Sequence, residues 1–152
     1  QVRSLTLDLR PTVLDDLGLA PALRWLVARQ QKLTTARLET EIDLPASRLD
    51  PAIETACFRI AQEAITNSLR HARAQRISLS SRIEDGAVTL IVADDGAGFD
   101  LAAARAAAAE GRSAGLAGME ERAHLAGGQF EVRSALGGGT EVRARFAPRN
   151  AA

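Results

Sequence analysis

The chain has 152 residues, 46% of them hydrophobic and 25% charged, with 19 basic side chains against 19 acidic ones. That length favours one domain with a sizeable core, and the zero formal net charge argues against a dedicated nucleic-acid binder. One cysteine, Cys57, and two histidines, His71 and His124, exclude a disulfide framework and a Cys- or His-rich metal centre. No apolar run approaches the roughly 20 residues that span a bilayer, and no secretory leader is recognisable. The chain opens on Gln1 rather than Met, so a piece of a longer protein is expected. Of the 19 basic residues, 18 are arginine, and the single lysine, Lys32, sits in Gln-Lys-Leu-Thr. A Walker A loop needs its lysine after a glycine-rich turn, so that kind of nucleotide site is excluded. Aromatic residues make up 3%, too few for a stacking platform on single-stranded nucleic acid.

Residues 1–12 read as the end of one element stopped near Pro11, with Leu5, Leu7 and Leu9 compatible with either helix or strand. Asp15 or Asp16 can cap a helix beginning near Leu17, with Pro21 in its first turn and an apolar stripe of Leu19, Leu23, Leu26 and Val27. Leu38, Thr40 and Ile42 alternate with charges and predict a strand that ends at Pro45. The longest helix is predicted from Pro51, with Asp50 as its N-cap, to about Arg73. Its apolar face is Ile53, Cys57, Ile60, Ala61, Ala64, Ile65, Leu69 and Ala72.

Strands over 75–83 and 87–93 flank an Asp85-Gly86 hairpin signal. The run from Leu101 to Ala109 is alanine-rich and helix-compatible, without a strong apolar face. Another helix is predicted from Gly115 to Ala126, closed by Gly127-Gly128, and then strands over 129–134 and 141–146 joined by three glycines. The tail from Ala147 is expected to fray. Helices mixed with antiparallel hairpins suggest an α+β layer of helices on one sheet face.

Four features carry chemistry. On the long helix Glu63 and Asn67 are four residues apart and share a face, with Arg70 and His71 one turn further on. The oxygen of Asn67 suits Mg²⁺, a hard ion that keeps several waters; Glu63 can orient or deprotonate a hydroxyl or water; Arg70 can neutralise phosphate charge. The same row also reads as a solvated helix face. Second, an apolar strand runs into Asp94-Asp95-Gly96-Ala97-Gly98, where Asp94 can accept a hydrogen bond from an exocyclic amine such as that of adenine and the glycines let the backbone turn; a plain turn is the alternative. Third, Gly111 and Ser113-Ala114-Gly115-Leu116-Ala117-Gly118-Met119 lead glycines into a helix, whose free N–H groups bind phosphate without lysine. The segment before it can act as a lid. Fourth, Gly137-Gly138-Gly139-Thr140 opens the last strand, as a hairpin turn or with Thr140 near a base.

The ordered set, rather than any one piece, is specific, and over about residues 36–147 it resembles the GHKL ATPase superfamily of gyrase B, heat-shock chaperones, mismatch-repair ATPases and sensor histidine kinases. Gln62-Glu63-Ala64-Ile65-Thr66-Asn67-Ser68-Leu69-Arg70-His71-Ala72 is similar to the N box of histidine kinases. Gly115-Leu116-Ala117-Gly118-Met119-Glu120-Glu121-Arg122-Ala123 is similar to their second glycine box. Leu9-Arg10-Pro11 and Leu14-Asp15-Asp16-Leu17-Gly18-Leu19 resemble the linker after the dimerisation helices in the nitrate-sensor and lipid-fluidity-sensor class. The chain departs from the family's Gly-x-Gly-Leu at Ser113-Ala114-Gly115-Leu116, which implies a stiffer lid.

The resemblance implies a two-layer α/β sandwich with a mixed sheet covered on one face by helices. It implies a linker over residues 1–20, an ATP-binding catalytic domain over 21–147 and a frayed tail over 148–152. It implies ATP and Mg²⁺ as cofactors, with Asn67 as the Mg²⁺ ligand, Glu63 promoting attack on the γ-phosphate and Arg70 contacting phosphate. Asp94 would bind the adenine amino group, Gly96 and Gly98 would shape the pocket, Gly115 and Gly118 would face the phosphates, Leu116 would be a further ATP-binding residue, and Thr140 would support the adenine end. His71 would line the pocket; the family's phosphorylated histidine lies on a dimerisation helix expected upstream, so this chain would not autophosphorylate alone. The implied partners are that dimerisation domain and a downstream response regulator, with no nucleic acid. The full-length protein would be a homodimer, cytoplasmic or membrane-anchored, and this fragment a monomer. A serine kinase acting on an anti-sigma antagonist, or a nucleotide-dependent binding module without phosphotransfer, are the alternative readings. Trp25 and Met119 read as core or lid packing, His124 as structural and Cys57 as an inert small hydrophobe.

Overall fold

A computed structural model of the chain describes residues 11–70, 73–109 and 115–147. The elements in order are α1 (Thr12–Leu17), α2 (Leu19–Gln31), β1 (Arg37–Asp43), α3 (Pro51–Arg70), β2 (Arg76–Glu84), β3 (Ala87–Asp94), α4 (Leu101–Ala109), α5 (Gly115–Leu125), β4 (Gln129–Ser134) and β5 (Thr140–Phe146). The five strands form one mixed sheet of order β1-β2-β3-β5-β4, parallel only between β1 and β2. The expected α+β architecture is therefore present. The expectations for residues 1–10, His71, Ala72, Gly111, Ser113 and the 148–152 tail lie outside the described residues.

Period-two alternation sends Val88, Leu90 and Val92 of β3, with Ile77 and Leu79 of β2, toward the helices. Phe58, Ile60, Ile65 and Cys57 of α3 meet them in one core. Asp85 and Gly86 both have positive φ, 52° and 79°, the backbone that a tight two-residue hairpin needs. The C-terminus of α5 closes as foreseen. Gly127, at φ 80°, donates its N–H to the His124 carbonyl at 3.0 Å, and Gly128 donates to Ala123 at 2.8 Å.

Three expectations are corrected. Asp15 and Asp16 do not cap a helix near Leu17; they lie inside α1, and the chain breaks at Gly18, φ 91°, before α2 begins at Leu19. Gly18 at positive φ ends α1, its N–H capping the Leu14 carbonyl at 3.1 Å, and Arg48 also donates to the last-turn carbonyls of Leu14 at 3.1 Å and Asp15 at 3.1 Å. Its guanidinium also forks onto the Glu54 carboxylate at 3.1 and 2.9 Å, and Leu49 N–H adds a third donor at 3.3 Å. Glu54 is thereby buried on α3 among apolar residues, with Leu14 and Leu19 buried in the same core. Second, Trp25 is not a core residue: it is 41% exposed, its ring stacked on Phe58 at 6.4 Å and covered by the Arg29 guanidinium at 5.3 Å. Third, the buried face of α3 is wider than its apolar stripe, since Glu54, Arg59 and Ser68 are buried too. Burial pushes the Cys57 thiol well above its ordinary pKa, with the nearby Glu54 charge adding to the shift, which keeps the thiol protonated and unreactive.

Candidate nucleotide-binding site

The site lies where α3, the end of β3 and the start of α5 converge over β5. A cavity of about 560 Å³ opens there, within the size range of ligand sites. Its floor is one row of the sheet: Val92, Val142 and Val132 are direct partners across β3, β5 and β4, and all three are buried. Phe99, Leu116 and Met119 add apolar walls. A flat, apolar slot of this kind suits an aromatic base.

One end of the slot is polar and rigid. Asp94 is the last residue of β3, and its two carboxylate oxygens are each held once. Oδ1 accepts the Gly96 N–H at 2.8 Å, and Oδ2 accepts the Ser68 hydroxyl of α3 at 2.6 Å. A carboxylate has about four lone-pair sites, so acceptor capacity remains for a donor entering the cavity. Asp94 pairs in register with Thr140 on β5. The Ser134 hydroxyl donates to the Gly139 carbonyl at 3.1 Å and accepts the Phe99 N–H at 2.9 Å. Its 2.8 Å contact with Thr140 Oγ1 is then donated by Thr140, which leaves Thr140 only acceptor capacity for a ligand.

The glycines hold this end close. Gly98 has φ 66°, and a Cβ there would overlap the Ala135 carbonyl oxygen. Gly139, φ 74°, is equally tight against the Asp94 carbonyl oxygen. Asp95 fixes the same turn from outside, accepting the Gln75 and Arg76 N–H groups at 2.9 Å each. Those backbone donors, Arg76 first, hold the Asp95 carboxyl below its ordinary pKa.

The other end carries the α3 polar row. Glu63, Thr66 and Asn67 line the cavity half-buried, and Arg70 stands exposed at its edge. The first residue of α5, Gly115, backs onto them: a Cβ there would stand 3.3 Å from Glu63 Oε2 and 3.4 Å from Asn67 Nδ2. The N-terminus of α5, whose first-turn N–H groups have no partner within the helix and which is its positive dipole end, therefore faces the carboxamide and the carboxylate.

Of the residues singled out in the sequence, Glu63, Asn67, Arg70, Asp94, Gly98, Gly115, Leu116 and Thr140 line this one cavity. Gly96 does not line it but orients Asp94; Gly118 lines a neighbouring cavity; His71 lies outside the described residues. Sequence reasoning missed Ser68 and Ser134. Ser68 had a signal: it follows Ala61, Ala64 and Ile65 at helical spacing on the buried face, where a hydroxyl requires a partner. Ser134, on β4, had none.

Residues 52–150 match the family described as histidine kinase-, DNA gyrase B- and HSP90-like ATPases. The chain is 38% identical over 136 residues to the signal transduction histidine-protein kinase/phosphatase DegS of Bacillus subtilis, a match covering 88% of this chain and 35% of that protein. It is 35% identical over 141 residues to the oxygen sensor histidine kinase NreB of Staphylococcus carnosus, covering 93% of this chain and 40% of that one. The chain thus spans well under half of these relatives. Two solved structures share the fold. The Erythrobacter litoralis EL346 blue-light activated histidine kinase gives a TM-score of 0.66 at 16% identity, covering 86% of this chain and 42% of that one. The Acinetobacter baumannii histidine kinase AdeS gives 0.62 at 17% identity, covering 98% and 77%. The chain belongs to the histidine kinase-, DNA gyrase B- and HSP90-like ATPase family, as a catalytic domain of the sensor histidine kinase type.

Proposed function

We propose that this domain binds Mg·ATP in the cavity between α3, β3 and α5 and passes the γ-phosphoryl group to a histidine on a dimerisation domain outside the chain. The observation that carries the reading is the polarity of the cavity. A fixed acceptor, Asp94, stands at one end of an apolar slot. The helix N-terminus at Gly115 stands beside Glu63 and Asn67 at the other.

Adenine lies on the valine row with its amino group donating to Asp94, and Thr140 offers a second acceptor. The phosphates run toward the N-terminus of α5. The Asn67 carboxamide oxygen suits Mg²⁺, and among the described residues no group of three or more His, Cys, Asp or Glu could hold a metal. This donor set fits an ion held by phosphate oxygens, waters and one amide rather than by a protein cage. When bound, Mg²⁺ neutralises phosphate charge. Arg70 at the rim adds a cation. Glu63 faces the acceptor: as the bond from the terminal phosphorus to the β-phosphate oxygen breaks and a P–N bond forms, Glu63 takes the imidazole proton and ADP leaves. Positioning and electrostatics supply most of the rate in such transfers.

The similarity to DegS and NreB supports histidine rather than serine as acceptor, and a response regulator as the next carrier. The same reading makes residues 1–20 the connection to the dimerisation helices and residues 21–147 the catalytic unit. It makes the full-length protein a homodimer, with this domain in the cytoplasm. Among the described residues no helix is long and apolar enough to cross a membrane. The test is phosphotransfer from labelled ATP to a dimerisation domain supplied in trans. Label on histidine supports the reading, label on serine supports the anti-sigma type of kinase, and nucleotide binding without transfer supports a binding module.

A further inference from the structure

A second cavity, about 450 Å³, adjoins the nucleotide cavity and shares Glu63, Thr66, Gly115 and Met119 with it. Its remaining polar side chains are Gln30, Arg59, Gln62 and Arg122. Two helical stripes with the same spacing face each other across it. On α3 they are Arg59, Gln62, Glu63 and Thr66; on α5 they are Gly115, Gly118, Met119 and Arg122. Because α5 starts against Glu63 and Asn67, it runs back along α3 toward Arg59.

Charge divides unevenly between the two cavities. The nucleotide cavity is lined by two carboxylates, Glu63 and Asp94, and one guanidinium, Arg70. The second is lined by two guanidiniums, Arg59 and Arg122, against the shared Glu63. Arg59 is 8% exposed and donates to Gln62 Oε1 at 3.1 Å. That bond orients the Gln62 carboxamide, whose NH₂ can donate to a ligand in the cavity. Arg122 lies seven residues after Gly115, about 10 Å along the axis. Helical side chains lean toward the N-terminus of their helix, so Arg122 leans back toward the shared wall. Donors and cations thus converge just past the point where the phosphate chain would leave the first cavity.

We infer that the second cavity is the subsite for the terminal phosphate of a bound nucleoside triphosphate, with Arg122 the residue that distinguishes triphosphate from diphosphate. The inference rests on the nucleotide reading above. A diphosphate ends at Asn67 and Gly115 and does not reach Arg122. The triphosphate adds one phosphate group, which takes a charge-assisted hydrogen bond from the guanidinium. Loss of that contact after transfer makes the product bind less tightly than the substrate.

The test is calorimetric titration of the domain, with Mg²⁺ present, by ADP and by the β,γ-imido analogue of ATP. The proteins are the wild type, Arg122→Gln, Arg122→Lys and Asp94→Ala. Arg122 is exposed on α5, so its substitution leaves the core intact. Arg122→Gln should weaken the analogue about tenfold and ADP less than about twofold, with Arg122→Lys in between. Equal weakening of both ligands, or of neither, overturns the subsite. Asp94→Ala should abolish both. If it leaves both unchanged, the placement of the nucleotide is wrong, and the subsite falls with it.

Discussion

Ser68 on α3 donates its hydroxyl to the Asp94 carboxylate at the end of β3, at 2.6 Å. This bond ties the helix that carries Glu63 and Asn67 to the strand that carries the base-reading acceptor. It sets the rotamer of Asp94 together with the Gly96 N–H, so the acceptor is oriented before any ligand arrives. Pre-orientation of this sort lowers the cost of binding.

Ser68→Ala should therefore weaken adenine nucleotides without abolishing binding. A hydrogen bond to a charged group contributes about 1.5–3 kcal/mol, and only the part lost in the bound state counts, so a loss of roughly 3- to 10-fold in affinity is expected. Calorimetric titration with ADP checks it. Unchanged affinity would mean that Gly96 alone orients Asp94.

Glu63→Gln should separate binding from chemistry. The carboxamide keeps the size of the side chain that lines both cavities but cannot take a proton. ATP-analogue affinity should stay within about twofold while transfer to the acceptor histidine falls by about 10²–10⁴. Single-turnover phosphotransfer measures the second quantity. Transfer at the wild-type rate would remove Glu63 from the reaction.

Gly98→Ala should destabilise the fold and the site together. The position has φ 66°, and the added Cβ meets the Ala135 carbonyl. Strain at an Ala with positive φ costs about 1 kcal/mol or more, and the backbone overlap adds to it. Urea unfolding gives the stability change. Gly118→Ala is the control, since nothing lies within 4 Å of a Cβ there, and it should be neutral or stabilising in its helix.

Arg48 and Glu54 set how the N-terminal segment is held. Arg48 binds Glu54 and the carbonyls of Leu14 and Asp15 at once. Its side chain is 47% exposed while that of Glu54 is 1% exposed. Arg48→Ala takes the Arg48 guanidinium from a buried carboxylate and should lower the urea midpoint of unfolding. Protease cleavage near α1 should rise as well. A stable variant with α1 still protected would contradict this role.

The acid limb of stability should depend on Asp95. Its folded-state pKa is depressed by the Arg76 and Gln75 N–H groups. The stabilisation is therefore present above the unfolded carboxyl value of about 3.9 and is lost as pH falls through the lower folded value. The stability difference between wild type and Asp95→Asn should be constant from about pH 5 to 8 and shrink below about pH 4. A difference that grows on acidification would mean the opposite shift.

The sequence displays most of the fold because its local signals agree with one another. Asp50-Pro51 opens α3, Asp85-Gly86 turns the β2–β3 hairpin, and Gly127-Gly128 closes α5. It misplaces the α1–α2 break because Asp15 and Asp16 read as caps, whereas Gly18 at positive φ ends α1 and Arg48, some thirty residues away in sequence, binds its last carbonyls. The candidate site is legible where it follows periodicity, as with Glu63 and Asn67, or a glycine-flanked strand end, as with Asp94. It is illegible where it depends on sheet register. The Val92–Val142–Val132 row arises only once β5 lies between β3 and β4, and the Ser134–Thr140 pair only once β4 and β5 are in register. Gly118 and Arg122 follow the same stripe as Gly115, yet only the packing of α5 on α3 shows that they open onto a second cavity.

The measurement that bears most directly on the central claim is calorimetric titration of wild type and Asp94→Ala with a non-hydrolysable ATP analogue, with and without Mg²⁺, with Asn67→Ala alongside. The expected result is saturable adenine-specific binding by the wild type that Mg²⁺ strengthens, loss of binding in Asp94→Ala, and loss of the Mg²⁺ effect in Asn67→Ala. Normal binding by Asp94→Ala would contradict the placement of the nucleotide in this cavity.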